Sequence, residues 1–219
     1  MLALIRKDLL IELRTRETSA ALLLLGLLTL LILSFAFDPT SELRQEAAPG
    51  ALWVAVAFSA VSALSRCFLN ECDNGCMAGL LLSPLDRGSI YLAKTIANIV
   101  LMMASLAVLV PVFVLFFDPP LSGGWLWILA ALALGVVGVA AVGTLFAAIA
   151  VNTRAREIML PLLMLPLIVP IFLAGIRVTS KLLLGQDVSA VAPWLNLMVG
   201  FDVIFLVVGW LAFEYVVSE

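Results

Sequence analysis

The sequence predicts an all-α integral membrane protein with six transmembrane helices. Of its 219 residues, 64% are hydrophobic and only 12% are charged, and the mean hydropathy is +1.20. Soluble domains are usually about 45–50% apolar. When the chain is cut at its charged residues, six stretches remain that are close to or longer than the ~20 residues a membrane helix requires. Composition and the spacing of charges therefore predict the fold class.

Other classes of function are disfavoured by the overall composition. A net charge of −3 leaves no basic excess that would neutralise a phosphate backbone, which argues against nucleic-acid binding. The sequence contains no histidine, which is the commonest metal ligand and a frequent general base. We therefore expect no catalytic residue, no bound cofactor and no metal site in this chain.

The first predicted element is a charged N-terminal helix within residues 1–17. Leu2, Ile5, Leu9 and Leu13 recur there at helical spacing, with basic side chains on the opposite side. This pattern favours an interfacial helix on the cytoplasmic surface of the membrane. A solvated helical arm that only orients the first span is the alternative.

Six spans follow within a single transmembrane domain, residues 1–219. The first lies between Glu17 and Asp38, which enclose twenty uncharged residues. The 35 uncharged residues 119–153 open with prolines and glycines that indicate a turn, so that span starts at Trp125. The predicted spans are 18–37, 48–68, 91–117, 125–151, 158–177 and 194–215.

The basic residues orient the chain, because lysine and arginine favour cytoplasmic connections. With cytoplasmic termini, nine of the twelve basic residues lie on cytoplasmic segments and three on outer segments. We therefore predict that both termini are cytoplasmic. Cys67, Cys72 and Cys76 then lie in a reducing compartment, where free thiols are expected. Their spacing lacks the C-x2-C pair typical of a zinc site.

The longest cytoplasmic connection, residues 66–89, mixes charged, thiol and apolar side chains. Its leucines favour an apolar face, Gly75 permits a turn, and Pro84 ends a helix. We expect a short coupling helix here, between the second and third spans, that lies along the membrane and docks a soluble partner. A re-entrant loop packed on its own bundle is the alternative.

Two spans contain residues that affect helix shape. The fifth carries Pro161, Pro166 and Pro170, each of which removes a backbone donor and crowds the preceding turn. We expect that helix to bend or open, either as a movable segment or as kinked packing without motion. Gly135 and Gly138 in the fourth span belong to a series of small residues suited to close helix contacts.

Asp202 is the one carboxylate well inside a predicted span. A charge at the centre of a membrane helix costs at least ~2.5–3.5 kcal/mol, so this side chain should face a cavity, pair with another group or stay protonated. Asp202, Pro166 and Pro170 are therefore the candidate functional positions inside the membrane. Solvation of Asp202 from the outer side is the alternative. The five tryptophans are expected mostly at the membrane interfaces.

Three segments of the sequence carry distinctive motifs. Residues 48–55 read A-P-G-A-L-W-V-A, residues 70–75 read N-E-C-D-N-G, followed by L-L-L-S-P at 80–84, and residues 165–170 read L-P-L-I-V-P. Together they resemble the haem exporter protein B family, the membrane subunit of the cytochrome c maturation transporter, whose signature includes L-P-L-x-x-P. The length and the six spans agree as well. The cysteines depart from the family pattern.

The resemblance implies an ABC-2-type permease of the bacterial inner membrane that is not itself an enzyme. The sequence has no G-x4-G-K-[ST] loop, so ATP would be hydrolysed by a separate cytochrome c maturation ATPase. Glu71, Asp73, Gly75 and Pro84 match the family loop that should contact this ATPase.

Haem is implied as the transferred substrate, held by other proteins. The implied partners are a haem-handling membrane subunit with its small associated peptide, a periplasmic haem chaperone and a second copy of this chain. The alternatives are a permease of the same architecture that exports a lipid, polysaccharide or drug, a membrane enzyme acting on lipid head groups, and a scaffold that only assembles partners.

Overall fold

The computed structural model describes residues 1–38, 41–68, 86–120, 124–150 and 156–216, without the side chains of residues 42 and 156–158. Over these ranges the chain forms seven α-helices and no strand, which confirms the all-α prediction. The helices are α1 (Leu2–Thr15), α2 (Glu17–Ala36), α3 (Glu42–Ser65), α4 (Arg87–Phe117), α5 (Trp125–Ala150), α6 (Arg156–Leu183) and α7 (Ala192–Val216).

Helix α1 is separated from α2 by a single residue. Arg16 adopts a left-handed backbone conformation with φ of 55°, and its N–H donates to the Glu12 carbonyl at 2.7 Å. This geometry ends one helix and redirects the chain into the next. The apolar side chains of Leu2 and Leu13 are 83% and 70% exposed, so the apolar side of α1 is only partly covered by the described part of the chain.

Helices α2 to α7 are all long and apolar enough to cross a membrane, as the charge spacing predicts. Three bounds differ from the prediction by four residues or more: α3 begins at Glu42 rather than at residue 48, α4 begins at Arg87 rather than at residue 91, and α6 ends at Leu183 rather than at residue 177. The reason is that a charged residue marks the limit of the hydrocarbon core, whereas the helix continues into the interface wherever its backbone remains hydrogen-bonded.

Helix α5 lies at the centre of the bundle. In the most apolar 18 residues of this helix, 72% of the residues are buried, compared with 22% in the corresponding stretch of α2 and 17% in that of α7. It packs against α3, α4, α6 and α7. Its small residues permit these close approaches: Gly138 faces α6 and α7, and Gly143 faces Leu64 and Met164. The small-residue series therefore makes contacts inside the bundle.

Trp53 is buried in this core, which corrects its expected place at a membrane interface. The side chain is 1% exposed, and its indole N–H donates to the Thr179 hydroxyl at 3.0 Å. The ring occupies space left by Gly135 on α5 and Gly175 on α6, where an added methyl group would overlap it. Sequence spacing does not reveal that two glycines from different helices face one ring.

Helix α6 is continuous from Arg156 to Leu183 through its three prolines, so it does not open at them. Pro166 and Pro170 lie on its exposed side, whereas Ile168 and Ile171 are buried. On the exposed side the proline ring does not disturb the packing of α6 on its neighbours.

Candidate functional site

The connection predicted to bind a soluble partner joins α3 to α4. The residues predicted to contact the partner are Glu71, Asp73, Gly75 and Pro84. They lie in the segment 69–85, outside the described residues, and so do Cys72 and Cys76. The structure describes the two ends of the connection, Cys67 and Phe68 after α3 and Asp86 before α4. The candidate site is the group of polar residues at these two ends.

Lys94 is the centre of that group. It lies two turns into α4 and is 4% exposed. Its Nζ is 3.0 Å from the Asp8 carboxylate of α1 and donates to the Cys67 carbonyl at 3.2 Å. It also lies 5.3 Å from the centre of the Phe68 ring, within range of a cation–π contact. One buried cation therefore holds together α1, α4 and the end of α3.

Asn98 extends the group into the centre of the bundle. It lies one turn after Lys94 on the same face of α4. Its amide donates to the Cys67 Sγ at 3.1 Å and to the Thr144 hydroxyl of α5 at 3.0 Å. Thr144 is fully buried. We call these five residues, Asp8, Cys67, Lys94, Asn98 and Thr144, the Lys94 cluster.

Aromatic packing ties the same region to α7. The Phe68 ring stacks on the Phe213 ring with centroids 6.3 Å apart, and the Tyr91 ring lies 5.8 Å from Phe213. Phe68 and Phe213 are 2% and 1% exposed. The end of α3 is therefore anchored against α7 as well as against α1, α4 and α5.

Glu12 connects α1 to α2 beside the cluster. One of its carboxylate oxygens accepts hydrogen bonds from the Ser19 backbone N–H at 2.6 Å and the Ser19 hydroxyl at 2.7 Å. Burial raises the pKa of Glu12, but the hydrogen bonds from Ser19 and Thr18 together outweigh it and hold the pKa below its ordinary value. The ionised carboxylate thus acts as a cap at the start of α2.

A small cavity lies between the Lys94 cluster and α2. Its volume is about 50 Å³, enough for a few water molecules. Its lining includes Asp8, Glu12, Lys94 and Asn98. Among the described residues, no group of three or more Asp, Glu, Cys or His side chains is placed to hold a metal ion. The arrangement is suited to joining helices mechanically rather than to binding a large ligand.

Asp202 is brought to a different place, the contact between α5 and α7. It is 4% exposed, and one carboxylate oxygen lies against the backbone of Gly138, close to Ile171 and Phe201. Neither oxygen has a hydrogen-bond partner among the described residues. Pro166 and Pro170 are on the exposed side of α6, so the three candidate positions inside the membrane do not form one site.

Lys94, Asn98 and Thr144 were not predicted from the sequence as functional residues. A signal was present, since Lys94 and Asn98 fall four residues apart inside a predicted span, where polar side chains are rare and usually buried together. Asp8 and Cys67, which complete the cluster, come from distant parts of the chain. Only the packing of α1 against α4 shows that they meet.

The comparisons with known proteins agree with the stated resemblance and confirm it. The chain matches the family described as CcmB protein over residues 1–218. A heme exporter protein B from Rhodobacter capsulatus is 26% identical over 200 residues, which cover 91% of this chain and 90% of that protein. A protein of the same name from Paracoccus denitrificans is 29% identical over 187 residues, which cover 85% of this chain and 85% of that protein. Another, from Pseudomonas aeruginosa, is 29% identical over 160 residues, which cover 73% of this chain and 71% of that protein.

Proposed function

Because the chain belongs to the CcmB protein family, we propose that it is the permease subunit of an ATP-driven complex that delivers haem for the biogenesis of c-type cytochromes. ATP is hydrolysed by a separate ATPase subunit on the cytoplasmic side of the inner membrane. The complex contains two copies of this chain, because ATPase subunits of this kind close as a pair. A haem-handling membrane subunit with its small peptide and a periplasmic haem chaperone complete the pathway.

The Lys94 cluster is the observation that carries this proposal. The connection that matches the ATPase-contact loop is fixed to the bundle at its first end by a buried contact, Lys94 to the Cys67 carbonyl, and at its second end it continues directly into α4. A displacement of the connection would therefore be passed to α4 and to the helices that the Lys94 cluster joins.

The direction of this transmission follows from the contacts. Asn98 and Thr144 pass a movement of α4 to α5, and α5 contacts most other helices of the bundle. Asp8 passes the same movement to α1. When the ATPase subunits close around nucleotide, they would therefore move α1, α4 and α5 together. Such rigid-body movement of packed elements is a common form of switching.

Complementation tests the proposed function. The chain is expressed in a bacterial strain that lacks its own copy, and membrane and periplasmic proteins are stained for covalently attached haem. We expect haem attachment to return and to disappear again when the partner ATPase is inactivated. If the deletion strain attaches haem normally while the ATPase still binds the wild-type chain, the chain instead exports a lipid, polysaccharide or drug.

Substitutions separate docking from transmission. Glu71→Ala or Gly75→Val should weaken copurification of the ATPase without affecting membrane insertion; normal copurification with both would contradict the loop assignment.

Asn98→Leu should leave copurification normal but reduce haem attachment, because it removes the hydrogen bonds to Cys67 and Thr144. Ser105→Ala is the matched control, since it removes a buried hydroxyl of α4 whose hydrogen bond, among the described residues, is to the Met102 carbonyl of the same helix.

A further inference from the structure

The two halves of α7 are held to the bundle in different ways. In the inner half, residues 205–216, hydrogen bonds fix α7 to α4. The Tyr91 hydroxyl donates to the Ala141 carbonyl of α5 at 2.9 Å and lies 3.5 Å from the Phe205 carbonyl. Arg87 at the start of α4 donates to the Glu214 carbonyl at 3.1 Å.

Gly209 allows Tyr91 to approach this half of α7 closely. The Tyr91 ring lies directly against Gly209, where an added methyl group would overlap the tyrosine hydroxyl, and it also packs on the Phe213 ring. The inner half is therefore fitted around one buried tyrosine, which contacts both α5 and α7.

In the outer half, residues 192–202, the contact with α5 is apolar apart from Asp202. Met198 is fully buried and lies near Gly135, and Asp202 lies against Gly138 one turn further in. Gly138 of α5 lies against Asp202 of α7. Three residues further along both helices, the carbonyls of Ala141 and Phe205 lie near the same Tyr91 hydroxyl, so α5 and α7 run parallel along this contact. The only strongly polar group here is a carboxyl that has no partner among the described residues.

A buried carboxyl without a partner disfavours the closed contact in which it lies. Water would satisfy both of its oxygens, whereas in the described contact one of them lies directly against Gly138. Separation of the two helices would admit water at this point. Helix α7 is also the least buried of the six spans, and a broad side of it is exposed, while its other side packs against α4, α5 and α6.

We propose that the outer half of α7 separates from α5 during the ATP-driven cycle, pivoting at Tyr91, and thereby opens a water-filled cleft on the outer side in which Asp202 is hydrated. This inference rests on the proposed function for the source of the movement. Asp202 acts as a positioning residue in it: the carboxyl stabilises the open form through water, and Gly138 allows the closed form to be compact.

Thiol labelling tests the opening directly. Cys67, Cys72 and Cys76 are replaced by serine, Met198→Cys is introduced, and intact cells that also express the ATPase and the other subunits are treated from outside with a membrane-impermeant maleimide. We expect labelling of position 198 in cells with active ATPase and little labelling when the ATPase is inactivated. Ala212→Cys is the control: it changes the side chain little, is partly buried on the same helix and lies inward of the pivot, and it should show no labelling that depends on ATPase activity.

The role of Asp202 is tested in the same cells. Asp202→Leu should slow the labelling of Met198→Cys at least about tenfold, because leucine gains nothing from the water that hydrates a carboxyl. Asp202→Asn, which also hydrogen-bonds water, should slow it much less. If either substitution prevents the chain from accumulating in the membrane, Asp202→Ala replaces it in the comparison.

The outcomes separate this inference from the proposed function. The Met198→Cys chain must first restore haem attachment in the deletion strain. If the wild-type chain does not restore it, the proposed function fails, whatever the labelling shows. If haem attachment is restored but position 198 stays unlabelled with active ATPase, the outward cleft is wrong and the proposed function stands. If position 198 is labelled equally in the Asp202→Leu chain, the role given to Asp202 is wrong.

Discussion

Lys94 and Asp202 are buried to the same extent, yet their surroundings are opposite. Each is an ionisable side chain of a membrane span that is 4% exposed. Lys94 has a carboxylate, a backbone carbonyl and an aromatic ring around its Nζ. Asp202 has glycine, isoleucine and phenylalanine around its carboxyl, and no hydrogen-bond partner among the described residues.

This difference shows that the partners of a buried charge, rather than its burial, determine what it does to the structure. A paired charge fixes the geometry of the elements that supply its partners, since moving its charged partner away leaves a buried charge less well compensated. An unpaired polar group makes its own conformation less stable than one in which water reaches it. The Lys94 cluster is therefore suited to transmit a movement, and the contact at Asp202 is suited to open.

Breaking the pair should have the largest effect. Lys94→Met leaves the mostly buried Asp8 carboxylate with the more exposed ammonium of Lys7, at 3.2 Å, in place of its buried partner. We expect a loss of up to about 3 kcal/mol in stability, measured as a lower unfolding temperature of the purified chain in detergent. Arg66→Met is the control, because its pair with Glu17 at 3.4 Å is exposed and contributes about 1 kcal/mol or less. Equal effects of the two substitutions would contradict the role of Lys94.

Two glycines test how tightly the α5–α7 contact is packed. Gly138→Ala places a methyl group against Asp202 and Ile171 and should destabilise the protein by about 1–3 kcal/mol through overpacking. Gly200→Ala adds a methyl group to the neighbouring turn of α7, where nothing lies within 4 Å. It should stabilise the helix by up to about 1 kcal/mol. The thermal shifts should therefore have opposite signs, and a destabilising Gly200→Ala would be inconsistent with this packing.

Replacing Asp202 should change stability in the direction opposite to replacing Lys94. Asp202→Leu keeps the branching of the side chain and removes a polar group that has no partner among the described residues, so we expect a gain of about 1–2 kcal/mol. The unfolding temperature should rise while haem attachment falls, because the closed contact becomes too stable. A large loss of stability would mean that Asp202 has a partner outside the described residues.

The smallest expected effect is the pH dependence contributed by Glu12. Its pKa is lowered in the folded protein, so its ionised form stabilises the fold above the ordinary pKa of 4.5. That contribution is lost as the pH falls through the lowered value. The unfolding temperature of the wild type should therefore decline more steeply below pH 4.5 than that of Glu12→Gln. Parallel curves for the two proteins would show that the bonds to Ser19 contribute little.

Much of the fold could be predicted from sequence because lipid imposes one strong rule on it. A chain segment in the hydrocarbon core has to satisfy its backbone groups internally and carry apolar side chains, so each helix appears as a long uncharged run. The bounds of α2 and α5 follow this rule within one residue. Those of α3 and α6 differ more, because polar residues extend both helices beyond the core.

The site could be predicted only in part. The resemblance identifies residues 70–84 as the connection that should contact a partner, whereas Lys94 reveals its importance only through residues far away in the chain. Asp202 was recognisable as exceptional, since a carboxylate inside a span is rare. The sequence did not reveal whether this carboxylate would be paired, hydrated or buried among apolar side chains. That depends on the residues that α5 and α6 place around it.

The sequence by itself determined the number and approximate limits of the spans, their predicted orientation and the family to which the chain belongs. These depend on properties of single segments: hydrophobic length, charge and short motifs. Only the tertiary structure decided that Trp53 fills the space left by two glycines, that Lys94 is paired and that Asp202 meets no hydrogen-bond partner in the described part of the chain. Each of these depends on which side chains from different helices come into contact. In a membrane bundle, the residue pattern of a single helix says little about which residues of other helices it will meet.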